Sequence, residues 1–219
     1  MKNKIKWIWR GIFLSLFLII IFVFSFRVAI LTRAGKFMAP QGNYTADAAI
    51  LEGNDFLDRD IVISGMNLLS SGKVKRLFVV LHRIAPSDRP FAIHEDYPDL
   101  VKKKMLALGL KEKDFRIIEA HIDQPITLTA AKATMEIISK ENIKSAILLS
   151  SGFHTRRSYL IYQYLCVPFK IKIFPYACFN SYQLDHWWSQ ESGWRDFTME
   201  IMKLTYYLTR GYIPLKLSY

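Results

Sequence analysis

Three consecutive stretches decide the fold: Ile143 to Leu149, ending Ala146-Ile147-Leu148-Leu149; then Ser150-Ser151-Gly152-Phe153-His154-Thr155-Arg156-Arg157-Ser158; then Tyr159-Leu160-Ile161-Tyr162-Gln163-Tyr164-Leu165. The first has the length and bulk of a buried parallel strand, and the third is apolar at helical spacing. The middle stretch therefore turns from the carboxyl end of a strand into the amino end of a helix. Ligands bind at such turns in open α/β sheets, and free N–H groups there favour anions. One His and two adjacent Arg predict a phosphate or carboxylate site. The competing reading is an Arg pair in salt bridges and a His that caps the helix.

Working outward, strands and helices alternate. Ala48-Ala49-Ile50-Leu51 is a short strand ending in Glu52-Gly53-Asn54, and Leu57 to Ser71 is a helix stopped by Gly72. Arg76 to Leu81 is a second strand, residues 82–94 a loop, and Tyr97 to Leu108 a helix closed by Gly109. Phe115 to Ala120 is a third strand and Thr127 to Lys140 a helix; Ile171 to Phe174 is a fifth strand. Arg195 to Arg210 ends the domain as a helix with Phe197, Ile201, Leu204 and Leu208 in register. The pattern predicts an α/β, Rossmann-like parallel sheet of about five strands with flanking helices, preceded by one transmembrane helix.

The membrane segment also explains the charge. The chain has 219 residues and a net charge of +11, which suggests nucleic-acid binding until the charges are located. Seven of the 30 basic residues and none of the 19 acidic ones lie in residues 1–36, which leaves 23 against 19, or +4, for the rest. The basicity flanks a span, and no nucleic-acid partner is expected. Gly11 to Phe26 is uncharged; counted from Trp7 it gives about 20 residues, roughly 30 Å, one bilayer core. Trp7 and Trp9 suit the headgroup level, and the basic bias before the span places the N-terminus inside. The apolar run is long for a cleaved signal peptide, and Thr32-Arg33-Ala34 is a poor cleavage site. The reading is an uncleaved signal anchor over residues 1–33, a linker over 34–46, a domain over 47–212 and a tail over 213–219. The partner is then a membrane, with the N-terminus inside and the domain outside.

The predicted strand ends line up Glu52-Gly53-Asn54, His82-Arg83, the loop from Asp123 to Thr129, and Ser151 to Arg157 along one edge. His154 and Glu52 are the candidate acid/base pair; Gly53, Asn54, Thr127, Ser151, Arg156 and Arg157 are the candidate ligand-binding residues. Each has a plainer alternative: Glu52 as a salt-bridge partner of Arg156 or Arg157, Thr127 as a helix start, Asn54 as a turn residue. A Ser-His nucleophile pair from Ser150 or Ser151 with His154 is a weaker option, since these residues share one turn. No Walker loop, G-x-G-x-x-G, G-x-S-x-G or H-E-x-x-H occurs, and the His residues lack metal-ligand spacing. No cofactor and no metal are expected. Cys166 and Cys178 fall at opposite ends of the fifth strand, about 20 Å apart for six residues, beyond the roughly 7 Å that a disulfide spans; two free thiols are expected.

The stretch Ser150-Ser151-Gly152-Phe153-His154-Thr155-Arg156-Arg157-Ser158 resembles the strand-turn-helix motif of the ElyC/SanA/YdcF family. That motif has a strand ending in Ser or Thr, an aromatic or small residue, His, and Arg two residues later. The likeness covers most of Ala46 to Arg210. Leu51-Glu52-Gly53 resembles a branch with Glu-Gly after the first strand, and Trp187-Trp188-Ser189-Gln190-Glu191-Ser192-Gly193-Trp194-Arg195 resembles its double-Trp segment before the last helix. Tyr97-Pro98-Asp99 replaces the family's acidic residue before the third helix. Thr127-Leu128-Thr129-Ala130-Ala131 keeps one Thr of an Asn-Thr-x-Glu-Asn stretch and loses its Glu and Asn. The resemblance carries over His154, Arg156 and Thr127. It implies a bacterial envelope protein of the plasma (inner) membrane, its domain extracytoplasmic, linked to barrier function, peptidoglycan and its polyprenyl-phosphate carrier. A soluble relative that binds S-adenosylmethionine adds a nucleotide-like ligand as an alternative.

The resulting expectation is a domain that binds a phosphorylated or polyprenyl-linked envelope intermediate, with turnover left open. The rival is a non-catalytic envelope factor acting through protein contacts at exposed aromatics around Trp187, Trp188 and Trp194. The sequence names no protein partner.

Overall fold

The computed structural model describes residues 2–53, 57–82, 97–121 and 123–214. Asn54 and Arg83, and with Arg83 nearly all of the predicted loop 82–94, lie outside the described residues.

Five strands form one sheet: β1 (Ala48–Glu52), β2 (Leu77–His82), β3 (Phe115–Ala120), β4 (Ser145–Ser151) and β5 (Lys172–Cys178). Their order is β3-β2-β1-β4-β5 and every pairing is parallel. This is the predicted Rossmann-like α/β sheet. The chain runs outward from β1 to β3, returns to the other side of β1, and runs outward again, so the order reverses between β1 and β4. Continuous apolar runs are what such doubly covered strands require; β1 and β2 are buried along their whole length.

Side chains alternate between two cores. Leu51, Leu77, Val79 and Leu149 pack with Ile61 of α2 (Arg59–Ser70) and with Val101 and Met105 of α3 (Tyr97–Ala107). Ile50, Phe78, Val80 and Leu148 pack on the opposite face. Their partners there include Ile138 of α4 (Ile126–Ile138), Ile161 and Tyr162 of α5 (His154–Cys166), and Leu204 of α6 (Glu191–Thr209). At the lower end, the Asp47 carboxylate accepts the N–H groups of Lys144 (2.8 Å) and Ser145 (3.0 Å). These bonds, the one from Lys144 foremost, hold its pKa below the usual range and pin the start of β1 to the start of β4.

The first helix, α1, runs from Lys2 to Met38, 37 residues, or about 55 Å. Its stretch Trp9–Met38 is long and apolar enough to cross a membrane. Here the structure corrects the domain boundaries. Residues 34–38, expected in a linker, are the last turn of α1, and Met38 and Ala39 are buried in the domain core. Ile213, expected to open a tail, is buried in the same core. β5 continues through Pro175 to Cys178 rather than stopping at Phe174, and α6 begins at Glu191 rather than Arg195. Both cysteines are free and buried, Cys166 closing α5 and Cys178 closing β5.

Candidate functional site

The site forms where the strand order reverses, at the carboxyl ends of β1 and β4, the position that open α/β sheets use for ligands. Period-two alternation carries Glu52 and Ser150 onto the face covered by α4, α5 and α6, as it does Ile50 and Leu148. Glu52 is buried and accepts hydrogen bonds from Ser150 Oγ (2.8 Å) and from Ser158 Oγ, 2.5 Å from Oε2. The link between β4 and α5 is a tight turn at Gly152, whose φ of +44° suits a residue without Cβ. Its N–H donates to Cys178 O (2.7 Å) and its carbonyl accepts Thr155 Oγ1 (2.7 Å), so the turn is fixed from both sides.

His154 is the first residue of α5, and the helical period puts Arg157 and Ser158 on its face. His154 Nε2 lies 3.5 Å from Glu52, and Nδ1 lies 3.5 Å from Glu200 Oε2 on α6. Arg157, buried in the same cluster, grips Glu200 with two bonds, Nε to Oε2 at 2.9 Å and Nη2 to Oε1 at 3.0 Å. Its Nη1 donates to Thr127 Oγ1 (2.6 Å) and its plane lies over the Tyr207 ring at 5.0 Å. Such forked pairing is the strong form of an Arg–carboxylate contact. Burial raises the pKa of Glu200, but the hydrogen bonds and charges of His154 and Arg157 outweigh it and hold the carboxyl well below its usual range.

Arg157 Nη2 also lies 2.8 Å from His154 Nδ1. A guanidinium can only donate. In neutral His154, Nδ1 is therefore the acceptor and the proton sits on Nε2, facing Glu52. On protonation Nδ1 gains a hydrogen that Arg157 cannot accept and Glu200 can. The two carboxylates and the arginine thus define where a proton on this imidazole goes in each state.

Around this cluster opens a cleft of about 690 Å³, of the size that holds a small ligand. His154, Arg157, Thr127 and Ser151 line it. So do the large side chains of Phe153, Phe179, Tyr182, Met199, Tyr206 and Tyr207, and Arg195 and Lys203, 69% and 50% exposed and paired with Asp196 at 3.1 Å and Glu200 at 3.2 Å.

The structure therefore brings together Glu52, Thr127, His154 and Arg157. Ser151 is at the cleft but donates to Asp58 (3.3 Å), and Ser150 donates to Glu52, so neither bonds His154 as a nucleophile would. Gly53 continues the sheet, its N–H bonded to Val80 O at 2.9 Å, and is not a lining residue. Arg156, expected to hold the anion, is not a lining residue either; it turns away from Arg157 and lies over Phe37 of α1 at 4.2 Å. Successive residues of a helix are about 100° apart, so only one of two adjacent Arg can face His154. Trp187 is fully buried, Trp188 is partly buried, and Trp194 is half-exposed inside α6, so the exposed aromatic cluster expected here reduces mainly to Trp194.

Glu200 was not among the expected site residues. Its signal was present: it lies three residues after Phe197 and four before Leu204, a lone acid within an apolar stripe. The buried face of α6 runs through Glu200, Leu204 and Tyr207, whereas Ile201, expected in that stripe, is 40% exposed. Among the described residues no group of three or more His, Cys, Asp or Glu is arranged to hold a metal ion.

Fold and site together define a Rossmann-like domain continuous with a candidate membrane helix, carrying a histidine between two carboxylates at the sheet's switch point. No protein-family model, curated protein or solved structure matches the chain.

Proposed function

We propose that this is a single-pass protein of the bacterial inner membrane whose extracytoplasmic domain binds a phosphorylated or polyprenyl-linked envelope intermediate in the switch-point cleft. The observation that carries this reading is that one cleft is lined both by a buried polar cluster and by large aromatic and apolar side chains. His154, Thr127, Arg157 and Glu200 supply the cluster, and Phe179, Tyr182, Met199 and Tyr206 the rest. Lys203 and Arg195 are the exposed cations of the lining; each rests on a carboxylate, Glu200 at 3.2 Å and Asp196 at 3.1 Å, that a phosphate would displace, and protonated His154 adds a donor. Arg157 plays a different part: Glu200 already neutralises it, so it orients His154 rather than clamping the anion. Where the ligand is turned over, His154 is the group placed to move a proton in phosphate-ester hydrolysis or group transfer. The resemblance to the ElyC/SanA/YdcF motif at Ser150 to Ser158 supports the same substrate class.

The closed Glu200–Arg157 pair favours one second reading. A site whose arginine is consumed internally is also what a non-catalytic envelope factor would keep for stability. Thermal unfolding of the full-length protein in detergent separates the two, with polyprenyl phosphate, a nucleotide sugar and S-adenosylmethionine as probes. A ligand at a hundred times its Kd adds about 2.7 kcal/mol, or roughly 5–10 °C for a domain of this size. Polyprenyl phosphate should give such a shift; no shift with any phosphorylated probe would overturn the proposal. His154→Gln should leave binding within about tenfold, and should lower turnover by about 10²- to 10⁴-fold if the protein is an enzyme.

A further inference from the structure

We infer that Trp194, with Trp188 beside it, rests in the outer headgroup layer of the bilayer that α1 crosses, and that this contact holds the cleft at the lipid surface. The inference rests on α1 being a membrane anchor and deepens the proposed function by naming the bilayer as the source of the ligand.

The argument is one of depth along α1. The span counted from Trp7 to Phe26 fills about 30 Å of hydrocarbon. Leu31 lies five residues further, about 7 Å at 1.5 Å per residue, which is within the headgroup layer. It is there that the domain takes hold of the helix: Trp187 Nε1 donates to Leu31 O at 3.0 Å. Gly35, one turn on, permits the approach, since a Cβ on it would lie 2.7 Å from Trp187 Nε1. Met38 and Ala39 then enter the domain core. The domain is thus docked against the last two turns of α1 rather than hung from a flexible tether, and Trp187 is held at a fixed depth.

Trp194 packs on Trp187 with ring centroids 5.1 Å apart, donates its Nε1 to Trp188 O at 2.7 Å, and is 48% exposed as a residue. An indole with a satisfied N–H and an open apolar edge suits the boundary of headgroups and acyl chains. The cleft adjoins this contact. Arg195, a lining residue, follows Trp194 directly, and Phe153, which precedes His154, meets Trp187 edge-on at 5.3 Å. A phosphate on a lipid can therefore reach the cleft while its hydrocarbon chain stays in the bilayer.

The test uses the full-length chain with Trp7→Phe and Trp9→Phe, which removes the indoles at the far end of the span. It is reconstituted in phosphatidylethanolamine–phosphatidylglycerol vesicles containing lipids brominated either high on the acyl chain or near its end. The shallow bromines should quench tryptophan emission more strongly than the deep ones, as indoles at the headgroup level require, and Trp194→Phe should remove most of that difference. Absence of quenching by the shallow bromines overturns the inference, as does quenching that Trp194→Phe leaves unchanged. The first measurement is made on an intact domain, so instability of Trp194→Phe would not obscure it. No ligand is present, so a negative result here is separate from a failed polyprenyl-phosphate shift. Quenching absent from pure lipid, together with loss of function in Trp194→Phe, would assign the patch to a protein partner instead.

Discussion

His154 lies between two carboxylates that differ in what else they bind. Among the described residues Glu52 is held by hydroxyls, whereas Glu200 is held by a buried guanidinium and, at 3.2 Å, by Lys203. Removing one partner of a buried ion pair leaves the other charge uncompensated, at a cost of about 3–5 kcal/mol. Arg157→Ala should lower stability by that amount in urea unfolding. Arg156→Ala loses a contact over Phe37, of the kind worth about 0.5–1 kcal/mol at exposed sites, and leaves the Arg157–Glu200 pair intact. The contrast reverses what the sequence suggests, because adjacent Arg codons carry no information about helix phase until the start of α5 is known. The folded pKa of Glu200 is depressed, so its contribution to stability is present above its ordinary value of 4.5 and is lost as pH falls below that towards the folded value. Glu200→Gln should remove that part of the acid limb of a stability–pH curve; an unchanged limb would show that other carboxylates govern it. Burial pushes both Cys166 and Cys178 up to about 11. A thiolate-directed reagent at pH 8 should therefore label neither quickly in the folded protein and both after unfolding without reductant.

Individual elements were legible in proportion to how much of their signal is local. The apolar runs Ala48 to Leu51, Leu77 to Leu81 and Ala146 to Leu149 announce buried strands, and all three lie in the centre of the sheet. The end of α1 was not legible, because Arg33, Gly35 and Lys36 read as a polar exit from the membrane. What keeps these residues helical is the tertiary contact with Trp187, which no window on the sequence displays. Gly35→Val should strain that joint, since overpacking typically costs about 1–3 kcal/mol. Trp187→Phe should remove the bond to Leu31 O, worth about 1 kcal/mol, together with some packing. Each variant should lower the melting temperature by several degrees. Full stability in both would mean that α1 and the domain are held by other contacts.

For the whole molecule, the proposed orientation makes a direct prediction. A reporter that works only outside the cytoplasm, fused after Tyr219, should be active, and one that needs the cytoplasm should be silent. The reverse pattern would overturn both the orientation and the envelope ligand. The strand order has a further consequence, in time rather than in space. β1 lies at the centre of the sheet, but its partner β4 begins nearly a hundred residues later, and the Ser150–Glu52 bond spans 98 positions. Pairings this distant carry a large loop-closure cost and form late. Glu200 comes later still. At about 5–20 residues per second, the ribosome spends roughly 7–30 s between Glu52 and Glu200. Until Ser150 and Ser158 follow, 98 and 106 positions after Glu52, β1 has an open edge and the carboxylate that will face His154 lacks the hydroxyls that later surround it. The His154–Glu200 cluster is thus complete only once α6 is made, and synthesis that stops short of α6 leaves the sheet without it.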